Sequence, residues 1–138
     1  MAYWLLKTEP EVFSWDQQTA RGAKGEPWSG VRNAQARINL RAMKKGDLAF
    51  FYHTSDEKRV VGIVRVVKEA YPDTTSDDEG WVMVDVAAVE PTPKPVTLAE
   101  IRKEPRLAEM ALVKNTRLSV QPVTPAEWTL LRKMGGLK

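Results

Sequence analysis

The segment between positions 28 and 41 carries the residue types that a nucleobase pocket needs. It contains Trp28, Gly30, two asparagines and three arginines around the predicted start of a helix. A tryptophan offers a planar stacking surface, glycine gives access to the backbone, arginine supplies positive charge, and an asparagine amide can read a base edge. Together these properties predict a site that holds a nucleobase beside a phosphate.

Three residues of this segment also have structural explanations. Asparagine is among the best helix N-caps, and Asn33 stands just before a run with helical spacing. The N–H groups at that helix start would favour an anion or a polar base edge in either case. Trp28 lies in a Gly/Pro-rich loop with polar neighbours, which favours ligand stacking slightly over burial. Arg32 fits either the site or the scaffold, with Glu9 or Asp47 as its predicted ion-pair partner.

Polar side chains also follow two predicted strands, at residues 7–9 and 51–55. Such strand ends are where the mouth of a barrel collects a site. Glu9 and His53 could form an acid/base pair there. No nucleophile elbow, metal-ligand spacing, phosphate loop or dinucleotide motif accompanies them, however. The pattern therefore favours binding over catalysis. Among the other tryptophans, Trp4, Trp81 and Trp128 are expected in the core.

Composition narrows the class of protein further. The chain has 138 residues, no cysteine and one histidine, so neither disulfides nor a metal site is expected, and no cofactor motif is present. Its 21 Lys and Arg against 18 Asp and Glu are a mild basic excess. Residues 21–45 hold seven basic side chains and one acid, whereas residues 73–79 are acidic. Such clustering is as typical of solvated surfaces as of a binding site.

No signal peptide is recognisable, and the longest apolar run, residues 60–67, is too short to cross a bilayer. We therefore expect one domain over residues 1–138, without membrane association. The expected location is the cytoplasm, and the nucleoid if the chain is bacterial.

Hydrophobic periodicity predicts the elements that must position these residues. Strands are predicted at residues 3–7, 48–52, 60–67, 81–89 and 118–123, and the third and fourth should pair antiparallel. Helices are predicted from residue 14 to about 22, at 33–43, from 97 to before 105, and at 124–135, with one further turn at 106–112. Pro91, Pro93 and Pro95 predict a stiff extended connection. This order predicts an α+β fold, with a curved mixed or antiparallel sheet closed towards a barrel and helices outside.

Four motifs, in order along the chain, closely resemble the EVE domain family. They are YWLLKTEP at 3–10, WSGVRN at 28–33 with Ala36-Arg37, GDL at 46–48 with FYH at 51–53, and RLSVQPV at 117–123. The resemblance covers essentially the whole chain. It implies a PUA-like fold, a bent β-barrel with surrounding helices, related to the YTH and ASCH domains. It also implies a non-catalytic module that reads a modified base by taking it into a pocket.

The resemblance implies roles for individual residues. Trp28 would form the stacking wall of the base pocket, and the base edge would be read by Asn33, Thr8 and Glu9. Tyr52, His53 and Ser119 would complete the pocket, while phosphates would be bound by Lys7, Arg32, Arg37 and Arg41. Thr8 stands where the family commonly has serine. Ala34 stands where an aromatic residue is common, and this removes one potential wall.

The ligand implied by the resemblance is nucleic acid, single-stranded or with a flipped-out base, that carries methylated or hydroxymethylated cytosine or a modified RNA base. A protein partner would act on the signal. Stacking is worth about 1–3 kcal/mol per base, so polar contacts must supply the specificity. Two alternatives stay open. The chain could sense a free modified nucleoside or another small planar ligand, or it could be a base-modifying hydrolase that uses Glu9 and His53.

Overall fold

The computed structural model describes all residues from Met1 to Lys138. Its strands are β1 (Tyr3–Thr8), β2 (Glu26–Pro27), β3 (Leu48–His53), β4 (Arg59–Pro72), β5 (Val82–Thr97) and β6 (Val120–Val123). Its helices are α1 (Trp15–Ala20), α2 (Ala34–Ala42), α3 (Leu98–Lys103), α4 (Ala111–Lys114) and α5 (Pro125–Met134), with 3-10 turns at Gly22–Lys24 and Pro105–Leu107. None of the helices is both long enough and apolar enough to span a membrane.

The six strands form one mixed sheet in the order β2-β5-β4-β3-β1-β6. The pair β1 and β3 is parallel, and every other pair is antiparallel. The edge strands β2 and β6 do not pair with each other, so the sheet is not closed. Helix α2 packs against β5 and β6 on the two sides of this opening. The α+β class and the mixed sheet surrounded by helices are therefore confirmed, with an open seam in place of a closed barrel.

Alternation along the strands builds two hydrophobic cores, one on each face of the sheet. On β3, Phe51 points into the first core together with Trp4, Trp28 and Leu40 of α2. Its neighbours Phe50 and Tyr52 point into the second core, which also contains side chains of α3, α4 and α5. The two faces of β3 therefore serve different parts of the molecule.

The predicted helix starts are confirmed by their capping side chains. Asn33 accepts a hydrogen bond from the Ala36 N–H at 2.9 Å, and it caps α2. Reciprocal capping boxes begin α1, α3 and α5, with Ser14, Thr97 and Thr124 as the N-cap residues. A cap satisfies backbone donors that the first helical turn leaves without partners.

Pro91, Pro93 and Pro95 are in extended backbone as predicted, but they lie inside a strand and do not form a connection between elements. Strand β5 continues through Pro91, Pro93 and Pro95 to Thr97. Strand β2 covers only Asp85 and Val86, so the rest of β5 has a neighbour on one side only. Proline is tolerated at such an edge because the N–H that it lacks has no ladder partner there.

Gly62 on β4 makes room for the ring of Trp15, and this generates a prediction about stability. A Cβ atom at position 62 would lie 2.5–2.6 Å from three atoms of that ring. The ring cannot move away freely because it packs edge-on against Phe51, with centroids 5.3 Å apart. We expect Gly62→Ala to lower the free energy of unfolding by about 1–3 kcal/mol in urea denaturation. The same substitution in a Trp15→Ala background should cost much less, and an equal cost in both backgrounds would contradict this account.

Candidate functional site

A cavity of about 400 Å³ opens at the seam between the two edge strands. Trp28 follows β2 directly and Ser119 precedes β6 directly, so the seam brings these two distant positions together. The volume falls within the range of roughly 300–1,000 Å³ that is typical of small-molecule sites. Five of the residues predicted from the sequence line this cavity, namely Lys7, Thr8, Trp28, Arg32 and Ser119.

Trp28 belongs to the first core and to the cavity wall at once. Only 7% of its surface is exposed. Its ring makes edge contacts with Phe51 and Phe13, at centroid distances of 5.5 and 6.2 Å. Its backbone N–H donates to the Val84 carbonyl at 2.7 Å, which ties the residue to β5. The indole is therefore a fixed wall that a planar ligand can contact.

The buried carboxylate of Asp73 fixes the loop that follows Trp28. It accepts hydrogen bonds from the Gly30 N–H at 2.9 Å, from the Arg32 guanidinium at 3.0 Å, and from the backbone and hydroxyl of Thr75 at 2.8 and 2.6 Å. Burial by itself would raise the pKa of Asp73, but these hydrogen bonds hold it well below its usual range. The loop between positions 28 and 32 is thus anchored to the segment between β4 and β5.

Thr8 supports another part of the cavity wall. Its hydroxyl donates to the Phe13 carbonyl at 3.0 Å. The N–H groups of Val12 and Phe13 both donate to the Glu9 carbonyl at 2.9 Å, so residues 9–13 form a tight turn at the cavity rim. Val12 is 70% exposed at this rim. Glu9 itself lines the neighbouring cavity instead.

Besides Glu9, three more residues predicted for the pocket lie elsewhere. Asn33 is committed to capping α2. Tyr52 points into the second core because it alternates with Phe51, and burial raises its pKa to about 12 despite the nearby Arg102. His53 is buried. Its Nε2 accepts a hydrogen bond from the backbone N–H of Trp15 at 3.0 Å, and its Nδ1 lies 2.8 Å from Oε1 of Glu57. None of the three lines the Trp28 cavity, in contrast to the prediction.

The predicted phosphate-binding cations have partners inside the protein. Lys7 donates to the Thr116 carbonyl at 2.8 Å, and burial lowers its pKa. Arg37 stacks on Trp81 at 4.6 Å from the ring centroid, and Arg41 donates to the Gly80 carbonyl at 3.0 Å. Both α2 arginines therefore face the start of β5, and neither lines the cavity. The stacking also leaves Trp81 half-buried just before β5, outside the two cores in which it was expected.

Arg32 is paired with Asp73, and not with Glu9 or Asp47, the two partners predicted for it. The predicted partner Asp47 is buried and accepts the Trp4 indole N–H at 3.1 Å. Arg32 reaches across to the loop before β5 because that loop folds back beside Gly30.

The catalytic alternative lacks a convergent geometry. Glu9 lines the cavity beside Thr54 and Arg117, whereas His53 lines a separate one beside Trp15 and Glu57. A general acid and base must both reach one reacting group. The two side chains open into different cavities.

Sequence reasoning missed several residues of the Trp28 cavity because they lie in loops, in the short helix α1 and in the two-residue strand β2, none of which carries a periodic signal. They are Val12, Phe13, Gln17, Arg21, Glu26, Pro27, Ser29 and Val31. Arg21 and Glu26 form an ion pair at 2.8 Å on the rim. Glu26 is the only acidic residue between positions 21 and 45, and this isolated acid was the sequence feature from which the pair could have been predicted.

Known proteins are similar to this chain in sequence and in fold. A family model described as "EVE domain" matches residues 2–134. Thymocyte nuclear protein 1 of Gallus gallus is 40% identical over 91% of this chain and 65% of its own length. The chain thus spans about two thirds of that relative.

Solved structures agree with the fold. A crystal structure of a protein from Agrobacterium tumefaciens has a TM-score of 0.97 and 50% identity, over 99% of this chain and 94% of that one. Human THYN1 protein in complex with 5-methylcytosine-containing DNA has a TM-score of 0.93 and 35% identity, over 100% and 99% of the two chains. A YTH domain from Zygosaccharomyces rouxii, at 11% identity and a TM-score of 0.60 over 99% and 88%, shares the fold.

The Asp73 network generates a stability prediction. We expect Asp73→Asn to lower the free energy of unfolding at pH 7 by about 1–3 kcal/mol, because hydrogen bonds to a buried charge are lost. The folded-state pKa of Asp73 is depressed, so its contribution is complete above the unfolded value near pH 4 and is lost as the pH falls below it. Denaturation of both proteins at several pH values should show their difference shrinking below about pH 4. Asp77→Asn, on the exposed part of the same loop, is the matched control. A constant difference down to pH 2 would refute the assignment.

Proposed function

This chain belongs to the EVE domain family, and from that premise we propose that it is a non-catalytic module that binds a modified base of nucleic acid beside Trp28. The observation that supports this most strongly is the relative crystallised with 5-methylcytosine-containing DNA, which shares 35% identity over essentially the whole chain. The cavity of this chain supplies an aromatic wall and polar groups suited to the same class of ligand.

The chemistry of the cavity suits a methylated pyrimidine. Trp28 stacks on the ring of the base, and the neighbouring apolar side chains of Val12, Phe13 and Val31 accommodate a methyl group. Thr8 and Ser119 also line the cavity, and their hydroxyls can bond to the polar edge of the base. Stacking gives affinity for any base, so discrimination rests on the methyl contacts and the polar edge.

The cavity can accept a base only after the base has left the stack. Extrusion from a duplex costs a few kcal/mol and is cheapest for mismatched or single-stranded nucleotides. The proposed ligand is therefore a single strand or a duplex with the modified base flipped out. The proposal includes a protein partner that acts on the bound state, since the chain presents no convergent acid/base pair of its own.

The test is the binding of fluorescently labelled single-stranded oligonucleotides, with cytosine or 5-methylcytosine at one position, measured by anisotropy at fixed salt. We expect the wild type to prefer the modified strand. Trp28→Ala should weaken binding by roughly 5- to 150-fold, which corresponds to the loss of one stacked base. Because Trp28 also packs in the core, a second variant is needed.

Ser119→Phe fills the cavity without removing a core side chain, so it should abolish the preference while the protein stays folded. Ala126→Phe, on the exposed start of α5, adds the same ring away from the cavity and serves as the control. Thermal melting curves check that each variant is folded. Equal affinity of the wild type for both strands, unchanged in Ser119→Phe, would reject base reading. A shift of the melting temperature with free nucleosides but not with oligonucleotides would instead favour a nucleoside sensor.

A further inference from the structure

We infer that the strand carrying the base leaves the Trp28 cavity along a basic groove, formed by Lys7, Thr54, Lys58, Arg102, Thr116 and Arg117, which binds its phosphates. This inference rests on the proposed function, because it describes the path of the same nucleic acid. It assigns the phosphate contacts to residues other than the α2 arginines, which line neither of these two cavities.

The groove is continuous with the Trp28 cavity. A second cavity of about 370 Å³ shares Lys7, Thr8, Val12 and Ser119 with it. A third cavity, of about 230 Å³, shares Lys7, Thr54 and Thr116 with the second. A strand with one base beside Trp28 must place its neighbouring phosphates at the cavity mouth, which is where the groove begins.

The charge of the groove is available to a ligand. Arg117, Lys58 and Arg102 are exposed, and their side chains make no ion pair and no hydrogen bond within the protein. Glu9 is the single carboxylate that lines the groove. A row of unpaired cations beside a cavity concentrates an anionic strand, and neutralising its phosphates releases condensed counterions.

The groove is also preformed by contacts between distant segments. The Lys7 ammonium holds the Thr116 carbonyl at 2.8 Å, and the Thr54 N–H donates to the Thr8 carbonyl at 2.9 Å. The Leu98 N–H donates to the Lys58 carbonyl at 2.8 Å, which fixes the turn between β3 and β4 against α3. A phosphodiester chain therefore meets cations and threonine hydroxyls whose backbone is already in place, and binding needs little ordering of the protein.

The test compares two triple variants that remove the same charge. The groove variant carries Lys58→Gln, Arg102→Gln and Arg117→Gln. The control carries Lys44→Gln, Arg65→Gln and Lys133→Gln, which are exposed cations outside the groove. Anisotropy titrations with single-stranded oligonucleotides, modified and unmodified, are run from 50 to 200 mM salt.

For the groove variant we expect affinity at low salt to fall by about tenfold or more, and the plot of log K against log salt to become shallower by about 2, which corresponds to three lost phosphate contacts. The ratio of affinities for modified and unmodified strands should stay unchanged. Binding of the free modified nucleoside, measured by calorimetry, should also stay unchanged because it lacks the flanking phosphates.

The two proposals fail in different ways. If the wild type does not distinguish modified from unmodified strands, the proposed function fails, while the salt slope on the unmodified strand still measures the groove. If the wild type distinguishes them but the groove variant keeps the slope of the control, the strand does not follow the groove. A groove variant that loses the modified-base ratio or the nucleoside affinity would also overturn the inference, since those residues would then belong to the base cavity.

Discussion

The geometry of the candidate site depends on the hydrogen bonds that the buried carboxylate of Asp73 accepts. The carboxylate is buried, so it is tolerated only because four donors surround it, two of them from the loop after Trp28. Gly30 can present its N–H there because its φ of +82° lies in the left-handed region that glycine adopts without strain. Trp28 is thus held on one side by Val84 and on the other by a loop pinned through Gly30 and Arg32. The guanidinium of Arg32 serves this scaffold first, although it lines the cavity.

The same contacts fix the Trp28 side chain, so little conformational entropy is lost when a ligand stacks on it. Trp28 is already immobilised by edge contacts with Phe51 and Phe13 before any ligand arrives. A side chain with its rotamer fixed loses no further freedom on binding, so more of its stacking energy appears as affinity. The open seam between β2 and β6 makes this arrangement accessible, because a closed barrel would have covered the indole with paired strands.

Local chemistry made much of the fold predictable from the sequence. The capping side chains of Ser14, Asn33, Thr97 and Thr124 bond to backbone groups within three residues, so spacing alone revealed them. The partners of Asp73 are 41 and 43 residues away from it in the loop after Trp28, and no local pattern encodes such contacts.

Membership of the pocket was less predictable because it depends on which face of a strand a residue occupies. The sequence predicts that residues 51–53 end a strand. It does not predict which face of the sheet each one occupies, and in the structure Phe51 packs with Trp28 in the first core while Tyr52 packs in the second. Residues such as Gln17 and Arg21 gave no signal at all. Of the pocket residues that the family resemblance implied, Thr8, Trp28 and Ser119 line one cavity in the structure.

Basic residues that cluster in the sequence are not necessarily free to bind a ligand. In this protein, several clustered cations have internal partners, whereas three cations that are scattered in the sequence have none. Within the basic run at 21–45, Arg32 pairs with Asp73 and Arg37 stacks on Trp81, so these two cations already have internal partners. A guanidinium that stacks on an indole or pairs with a buried carboxylate must lose that contact before it can bind a phosphate. Lys58, Arg102 and Arg117 are scattered in the sequence and form no run, yet the fold gathers them beside the cavity without an internal partner. A net charge of +3 is therefore compatible with a strongly basic path, because what attracts a nucleic acid is the charge that remains after the protein has paired its own.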